Sequence, residues 1–489
     1  MRNWLDITYE RSILRESSDT MQRIIIKAGE ERQRRGVSHF VAISFTMSLV
    51  LSIFLFSYLA YRLACHSAEA WADPDFHWLV AAVPMALCLI TVVGGVRWTV
   101  LLSLSFVSFQ RASRLGEVEA ERWPCVSIFV PAYNEAENIE AALEPLCKLE
   151  YPSYEVIVVD DGSTDDTFDR AKRFAGRHDR CTVRVYRKRN GGKWSAHNFA
   201  FRRSSSELVL CLDADSRIDS CVLKLMVRHM ADPRVAAVAG QIRVRNRSSL
   251  LTRLQAAEYL MGNGCARMAM SINGTVLIVA GPLGLFRRCV LEEIYLRYGR
   301  TDRFLAEGEV EGPFEGDTFA EDFDLSMAIL SLGGRIVYEP SAVSHTRAPD
   351  WPFAFISQRY RWYRGTIQVL RKFVRRLRSR PEIGNPRLLG WLLATYLFDL
   401  IVLPLVYLGA LIMLFLLTMS ETAGISLLGA AALALLANLY AGTMFAFAQR
   451  DSLMLLPILI LYDVYQNFLI GPAWFISILD ELRGARMRW

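Results

Sequence analysis

Uncharged apolar runs lie near both ends of the chain, and a region of shorter alternating segments separates them. Phe40 to Tyr61 contains 22 residues without a charge and Trp78 to Val96 contains 19, so each run can cross a hydrocarbon core about 30 Å thick. Further apolar blocks fill residues 388–480. The pattern predicts an integral membrane protein with two transmembrane helices within residues 37–110 and C-terminal transmembrane helices within residues 388–480.

The charges beside these runs predict an orientation. The loop between the first two runs has three acidic residues and one arginine, Arg62, whereas the basic run RKFVRRLRSR follows the middle region. Basic loops favour the cytoplasmic side of a membrane. Residues 1–36 lack the short apolar core and cleavage site of a signal peptide, so we expect them to be retained. The N-terminal segment and the middle region are therefore expected in the cytoplasm, at the plasma (inner) membrane.

Within residues 122–350, short β-rich segments alternate with helix-like stretches. The segments CVSIFVPAY, EVIVVDDGS, ELVLCLDAD and VAAVAGQIRV are typical of strands, and their alternation with helices predicts an α/β domain with a largely parallel sheet. The first three end in polar residues, and open α/β sheets bind ligands beyond the carboxyl ends of their strands. The acidic, glycine-rich segment 307–317 is expected to be a solvated loop, with a lid over the site as the alternative.

Charge and cysteine content narrow the range of partners. The net charge of +6 is spread over segments beside the apolar runs, which suits anionic lipid headgroups better than nucleic acid. Seven of the nine cysteines lie in the middle region without a C-x-x-C pair, so neither a disulfide framework nor a zinc site is indicated. The lipid bilayer is therefore an expected partner, and nucleic acid is not.

The residues after the first two strands fit a nucleotide. Tyr133 and Glu135 can stack on and hydrogen-bond a base, although alone they also fit a turn. Asp160 and Asp161 end the second strand, where a turn and a helix cap explain the serine and threonines that follow but not two adjacent carboxylates. Lys193, after two glycines, is a cation on a flexible backbone and can contact a diphosphate or a base.

A pair of aspartates follows the third strand. Asp213 and Asp215 are two residues apart, so both side chains can face one cation while Ala214 turns away. Mg²⁺ or Mn²⁺ takes one or two carboxylates and fills its shell with phosphate oxygens and water. The pair predicts a site for Mg²⁺ or Mn²⁺, with two ordinary surface charges as the alternative.

Two further motifs lie on predicted helices. Asp322, in AEDFD, begins an amphipathic helix and is either a general base aimed into the cleft or a charge that stabilises the helix start. Gln358, Arg361 and Trp362 are spaced so that their side chains share one helical face. Residues 351–382 are expected to form interfacial amphipathic helices that carry this cluster, but a membrane-surface role alone explains Gln358 poorly.

Taken in order, the motifs DDGSTDDT, NGGK, DAD, GPLGLFRR, AEDFD and QRYRW resemble the processive family 2 glycosyltransferases, which include cellulose, chitin, hyaluronan and poly-N-acetylglucosamine synthases. The resemblance covers roughly residues 122–375. It implies an α/β GT-A (Rossmann-like) cytoplasmic domain inserted between α-helical transmembrane segments. In that family, the domain binds a UDP-sugar and a divalent cation, inverts the anomeric centre and feeds the polymer into a channel of its own transmembrane helices.

The motifs and the resemblance together give each candidate residue a role. The residues expected to bind the nucleotide-sugar are Tyr133, Glu135, Asp161, Lys193, Asp213 and Arg361. Asp213 and Asp215 would bind the cation. Asp322, matching the last acid of the family's Thr-Glu-Asp motif, would be the catalytic base, although Ala320 replaces the threonine. Gly281, Gln358 and Trp362 would lie at the acceptor sugar.

The predicted function is that of an inverting, processive glycosyltransferase in the membrane. It would polymerise a β-linked polysaccharide from a UDP-sugar of the UDP-GlcNAc or UDP-glucose type and translocate the product. Its partners would be the donor, the growing polysaccharide, the bilayer and accessory export subunits. One alternative is a non-processive family 2 transferase that moves a single sugar onto a lipid. A transporter or scaffold that only binds nucleotide is another, but it leaves Asp322 unexplained.

Overall fold

The computed structural model describes residues 58, 61, 65, 96–97, 100–112, 123–298, 305–396 and 453–485. Residues 100–112 are helical, and the sheet begins soon after them. The strands are β1 Val126–Ala132, β2 Tyr154–Asp160, β3 Gly176–Arg177, β4 Cys181–Arg187, β5 Leu208–Cys211, β6 Arg217–Ile218, β7 Val235–Val244, β8 Gly284–Arg287 and β9 Arg335–Thr346. They form one nine-stranded sheet in the order β3-β4-β2-β1-β5-β8-β7-β9-β6. The four predicted strands are all present.

Helices connect the strands and extend beyond the sheet. They are α1 Ile139–Leu146, α2 Thr167–Lys172, α3 Lys193–Phe201, α4 Val222–Val227, α5 Leu250–Glu258, α6 Gly264–Ser271, α7 Arg288–Tyr298, α8 Glu321–Ser331, α9 Pro352–Ser379, α10 Pro386–Leu392, α11 Tyr462–Tyr465 and α12 Gly471–Leu482. Helix α9 has 28 residues and carries the Gln358 cluster. Helix α12 packs alongside α9, so the end of the described chain returns to the domain.

The sheet is mixed, and the expectation of a largely parallel sheet is only half right. Strands β4, β2, β1 and β5 run parallel, as do β7 and β9. Strand β8 is antiparallel to both β5 and β7, and β3 and β6 are antiparallel edge strands. The difference arises because the helical segment between β7 and β8 returns the chain to the edge at which β7 ended, so β8 runs in the opposite direction. The carboxyl ends of the first four parallel strands still share one edge.

The parallel strands are buried on both faces. In β1, Phe129 packs into one apolar cluster while Ile128 and Val130 pack into another on the opposite face. Successive side chains of a strand point to opposite sides, so this alternation divides one strand between two cores. A sheet covered on both faces is rigid, and the polar residues that follow its strands are held in fixed relative positions.

Helix α8 differs from the amphipathic helix that the sequence predicts. Its residues from Phe323 to Leu330 are all buried, so it has no solvated face over that stretch. The reason is that α8 lies between the sheet and α9, and contacts both. A helix that is covered on all sides belongs to a core.

The described part of the chain contains no helix that is both long and apolar enough to cross a membrane. Most of the two ranges predicted to hold transmembrane helices, 37–110 and 388–480, lie outside the described residues.

A buried ion-pair network fixes β9 against the 3-10 turn Arg228–Ala231 that follows α4. Glu339 is fully buried and accepts hydrogen bonds from Arg228 Nη2 at 2.5 Å and from His229 Nε2 at 2.8 Å. Burial alone would raise the pKa of Glu339, but the hydrogen bond from His229 and the charge of Arg228 hold that pKa below its usual value. The carboxylate is therefore ionised and matched by donors inside the domain.

Replacing Glu339 by alanine is expected to lower the free energy of unfolding by about 3–5 kcal/mol, because two buried donors lose their acceptor. The matched control is Glu144→Ala, which removes the exposed Lys148–Glu144 pair. That change is expected to leave the free energy of unfolding almost unchanged, because water screens an exposed ion pair. Chemical denaturation of the purified proteins measures both. Equal losses for the two variants would contradict a structural role for the buried network.

Candidate active site

A cluster of charged side chains lies at the carboxyl edge of the parallel strands. Lys193, the first residue of α3, places its Nζ 2.6 Å from Asp213 Oδ1 and 3.6 Å from Glu321 Oε1. Asp213 follows β5, and Glu321 begins α8. One ammonium group therefore joins the strand end predicted to bind a cation to the helix start predicted to carry the base.

The carboxylates around Lys193 stabilise its charge. Burial alone would lower the pKa of Lys193, but the nearby charges of Asp213 and Glu321 raise it above its usual value. Lys193 is therefore protonated at neutral pH. It is a fixed positive charge, suited to a phosphate group and unsuited to accepting a proton.

Asp215 and Glu135 lie close enough to Asp213 to feel its charge. Burial, and then the charge of Asp213, raise the pKa of Asp215. Burial also raises the pKa of Glu135, with Asp215 and Asp213 adding to the effect. Crowded carboxylates of this kind repel one another, and a divalent cation relieves that repulsion. The donor set of carboxylate oxygens without sulfur or imidazole fits Mg²⁺ or Mn²⁺.

Asp322 lies in the first turn of α8, beside the loop that carries Gly281. Its Oδ2 accepts a hydrogen bond from the Gly281 N–H at 3.3 Å, and its Oδ1 accepts one from the Phe323 N–H at 2.8 Å. The start of a helix favours a negative charge. Both oxygens are thus held by backbone donors, and the carboxylate is oriented without a basic side chain bonded to it.

Gly281 has a steric reason to be glycine. A Cβ at this position would lie 2.6 Å from Lys193 Nζ. The Val279 N–H donates to Ser326 Oγ at 2.9 Å, so the same loop is also fixed to α8. Gly281 therefore allows Lys193, Asp213 and Asp322 to approach one another closely.

Tyr133 and Glu135 lie in the loop after β1, next to the loop after β2. Tyr133 is about half exposed, so its ring is available to a ligand. Ser163 Oγ accepts the Asn134 N–H, and Thr167 Oγ1 accepts the Glu135 N–H at 2.8 Å. These hydrogen bonds fix the two loops relative to each other at the edge where a nucleotide is predicted to bind.

Asp161 contacts the glycine turn that precedes Lys193. Its carboxylate accepts hydrogen bonds from Lys188 Nζ at 2.5 Å, from the Gly191 N–H at 3.1 Å and from the Gly192 N–H at 2.8 Å. Burial raises its pKa although Lys188 opposes the shift. Asp161 therefore shapes the glycine turn that precedes Lys193. The sequence analysis did not single out Lys188.

Gln358, Arg361 and Trp362 lie on α9. Trp362 is 41% exposed, and the guanidinium of Arg359 lies 4.2 Å from the centre of its ring. Arg359 also donates to Gln358 Oε1 at 3.2 Å. Arg361 is exposed. The cluster therefore presents an indole, an amide and a guanidinium, with Arg359 supporting two of them.

Two arginines of this cluster have acidic partners that the sequence analysis missed. Arg359 is 1% exposed and its Nη2 lies 2.6 Å from Glu258 Oε2 of α5. Arg364 is also buried, and its Nε lies 2.7 Å from Glu481 Oε1 of α12. The sequence contained a signal for these partners. Residues 358–365 include three arginines, and an arginine that is buried needs an acidic partner.

Residues 305–319, here called the strap, join this helix to the nucleotide side of the site. Asn198 of α3 donates to the carbonyl oxygens of Val310 and Phe314 and accepts the Phe314 N–H. At the other end, Lys372 of α9 bonds to Glu315 and Asp317. Phe314 is buried. The expectation of a solvated loop is therefore wrong, because hydrogen bonds and apolar burial hold the strap over α3.

The strap contributes to a second acidic cluster. Among the described residues, three carboxylates lie close enough together to share a metal ion, those of Glu315, Asp317 and Asp324. The ammonium of Lys372 contacts all three. Lys372 offsets part of the negative charge of this cluster, as Lys193 does at Asp213.

Comparison with known proteins identifies the domain. Residues 127–295 match the family described as Glycosyl transferase family 2. A poly-β-1,6-N-acetyl-D-glucosamine synthase of Staphylococcus epidermidis is 29% identical over 288 residues, which cover 59% of this chain and 64% of that protein. The enzyme of the same name from Staphylococcus aureus strain COL is 29% identical over 255 residues, covering 52% of this chain and 57% of that protein. The match thus spans less than two thirds of either relative.

A solved structure shares the fold. A mannosyltransferase from Pyrobaculum calidifontis, in complex with GDP-Man and Mn²⁺, superposes with a TM-score of 0.51 at 24% identity, covering 77% of this chain and 99% of that chain. The prediction of a GT-A-like α/β fold is confirmed, with a mixed sheet. The match to the Glycosyl transferase family 2 model agrees with the prediction of a glycosyltransferase domain, and the matched residues include Lys193, Asp213 and Asp215.

Proposed function

We propose that this protein is a membrane-embedded, inverting and processive glycosyltransferase. It polymerises a β-linked polysaccharide from a UDP-sugar of the UDP-GlcNAc or UDP-glucose type and translocates the product across the plasma membrane. The observation that carries the proposal is the position of Lys193, which bridges Asp213 and the start of α8. The relatives named as poly-β-1,6-N-acetyl-D-glucosamine synthases support a polymer of N-acetylglucosamine.

The reaction joins an acceptor hydroxyl to C1 of the donor sugar. Asp322 accepts the hydroxyl proton as the oxygen attacks C1 from the face opposite the nucleotide. The bond from C1 to the diphosphate oxygen breaks, and its electron pair leaves with UDP. Lys193 and Arg361 stabilise the charge that develops on the diphosphate. Attack on the opposite face inverts the anomeric centre.

Asp213 and Asp215 would hold the divalent cation, with Glu135 close enough to add to the negative field. A bound Mg²⁺ or Mn²⁺ supplies positive charge at the leaving diphosphate. The protein's own part is to present these carboxylates at the end of β5, on a sheet that is rigid because both of its faces are buried.

The acceptor binds on α9 in this proposal. The exposed face of Trp362 offers apolar contact to the C–H groups of a sugar ring, and Gln358 offers an amide beside it. Arg359 holds both side chains in place through its contacts with the Trp362 ring and the Gln358 amide oxygen. A rigid platform of this kind favours a processive enzyme, because each new terminal sugar returns to the same place.

Direct assays test the proposal. The full-length protein in detergent or nanodiscs is supplied with a panel of UDP-sugars, and UDP release is measured. Digestion of the product with hydrolases specific for β-1,6-linked and β-1,4-linked glycans then identifies the polymer. A product carrying a single sugar on a lipid would favour the non-processive alternative, and absence of UDP release with every donor would refute the proposal.

Removal of divalent cations is expected to abolish sugar transfer. Without the cation, the carboxylates of Asp213 and Asp215 would repel the diphosphate, and the charges of Lys193 and Arg361 would only partly offset that repulsion. UDP release is measured in excess EDTA and again after Mg²⁺ or Mn²⁺ is restored, which should recover the activity. Full turnover in EDTA contradicts this prediction.

The variant Asp322→Asn is expected to keep donor binding and to lose transfer by at least about a hundredfold, because an amide cannot accept the hydroxyl proton. UDP affinity and UDP release are measured on the same preparation. Asp350→Asn, which changes an exposed aspartate paired with Arg347, is the matched control and should behave as wild type. Transfer at the wild-type rate by Asp322→Asn would move the base to another residue.

The variant Trp362→Ala is expected to reduce polymer formation by about tenfold or more and to leave UDP affinity unchanged, because misplacing the acceptor slows transfer. The control is Trp351→Ala at the start of the same helix, where the side chain is 62% exposed and its ring contacts that of Phe353. If both variants lose protein yield equally and the purified molecules stay active, the two tryptophans serve as membrane anchors.

A further inference from the structure

Helix α9 contacts the base-carrying segment along one side. Gly365, Gln368 and Lys372 are spaced three and four residues apart, so they lie on one face. A Cβ at Gly365 would lie 2.6 Å from the Cβ of Ala320, which shows how closely the backbone of α9 approaches the start of α8. Lys372 Nζ lies 2.6 Å from Asp324 Oδ2. These contacts fall on both sides of Asp322 in the sequence.

Gln368 makes a hydrogen bond to the backbone just before the start of α8. Its Oε1 accepts the Phe319 N–H at 3.0 Å, three residues before Asp322. Its Nε2 donates to Glu481 Oε1 of α12 at 2.8 Å. A backbone N–H can only donate and a carboxylate can only accept, so the two partners together permit one orientation of the amide. Glu481 therefore keeps the amide oxygen of Gln368 directed at the segment that carries the base.

Glu481 is itself tightly held. Its side chain is 8% exposed and accepts hydrogen bonds from Arg364 Nε at 2.7 Å and from Arg371 Nη1 at 3.0 Å, in addition to that from Gln368. A carboxylate with three donors and little solvent has one favoured position. The carboxylate of Glu481 therefore fixes the amide of Gln368, and that amide fixes the backbone at Phe319.

We propose that Glu481 is a positioning residue for the Asp322 carboxylate and acts through the side-chain amide of Gln368. The inference rests on the proposed function, in which Asp322 is the base. Glu481 lies just beyond the range predicted to hold the C-terminal transmembrane helices, so the contact links that region to the chemistry. A base displaced by about 1 Å can slow transfer on the order of a hundredfold, and two hydrogen bonds through one amide prevent such a displacement.

The first test uses Gln368→Met, which keeps the shape of the side chain, removes both hydrogen bonds and leaves the Arg364–Glu481 pair intact. We expect kcat to fall by about tenfold or more while KM for the donor is unchanged, because the donor contacts lie elsewhere. Glu481→Gln should give the same pattern. Asp480→Asn is the matched control, since the neighbouring carboxylate bonds to Tyr360 and not to Gln368.

The double variant Gln368→Met/Glu481→Gln separates positioning from general stability. If Glu481 acts through Gln368, kcat of the double variant equals that of Gln368→Met alone. Losses that multiply, an unchanged kcat in Gln368→Met, or a change confined to KM would each overturn the proposal.

Hydrogen exchange distinguishes failure of this inference from failure of the proposed function. The peptide that covers residues 319–325 should exchange faster in Gln368→Met and in Glu481→Gln than in wild type, whatever reaction the protein catalyses. If the wild-type protein releases no UDP but exchange still rises in the two variants, the contact exists but Asp322 is not a catalytic base. The proposal is then overturned together with the proposed function. Unchanged exchange in both variants overturns it directly.

Discussion

The ion pairs of the Lys193 ammonium group are the interaction on which the site depends. Two carboxylates, those of Asp213 and Glu321, lie within 4 Å of it, and its positive charge offsets their repulsion. Its position comes from the glycine turn before α3, which Asp161 holds through two backbone N–H groups. Gly281 has no side chain, so it leaves space beside the Lys193 ammonium group. The end of β5, the glycine turn before α3 and the start of α8 thus meet at the Lys193 ammonium group.

The sequence was informative where structure follows from local pattern. Strand ends on one side of a parallel sheet converge, so the meeting of Asp161, Lys193 and Asp213 was predictable from three short motifs and the order of the strands. The spacing of Gln358, Arg361 and Trp362 likewise indicated one helical face. These predictions needed only the periods of strand and helix, which the residues in each segment determine.

The contacts that support those residues were not predictable in the same way. Arg359 and Glu258 are 101 residues apart, and Gln368 and Glu481 are 113 apart, so no local pattern joins them. The strap was misjudged because glycines and acids are typical of solvated loops, and its order depends on the side chain of Asn198 more than a hundred residues earlier. Helix α8 was misjudged because burial on its polar side comes from α9, which a reading of α8 alone does not include.

The return of α12 to the domain has a consequence for the order in which the protein is made. The strands from β1 to β9 are complete once Thr346 has been synthesised, and domains generally form as they leave the ribosome. The hydrogen bond from Gln368 to Glu481 cannot form until residue 481 has been added. A nascent chain can therefore complete the sheet and the contact between Lys193 and Asp213 well before the segment around Phe319 receives its final support. Full assembly of the site is thereby delayed until the C-terminal helices exist.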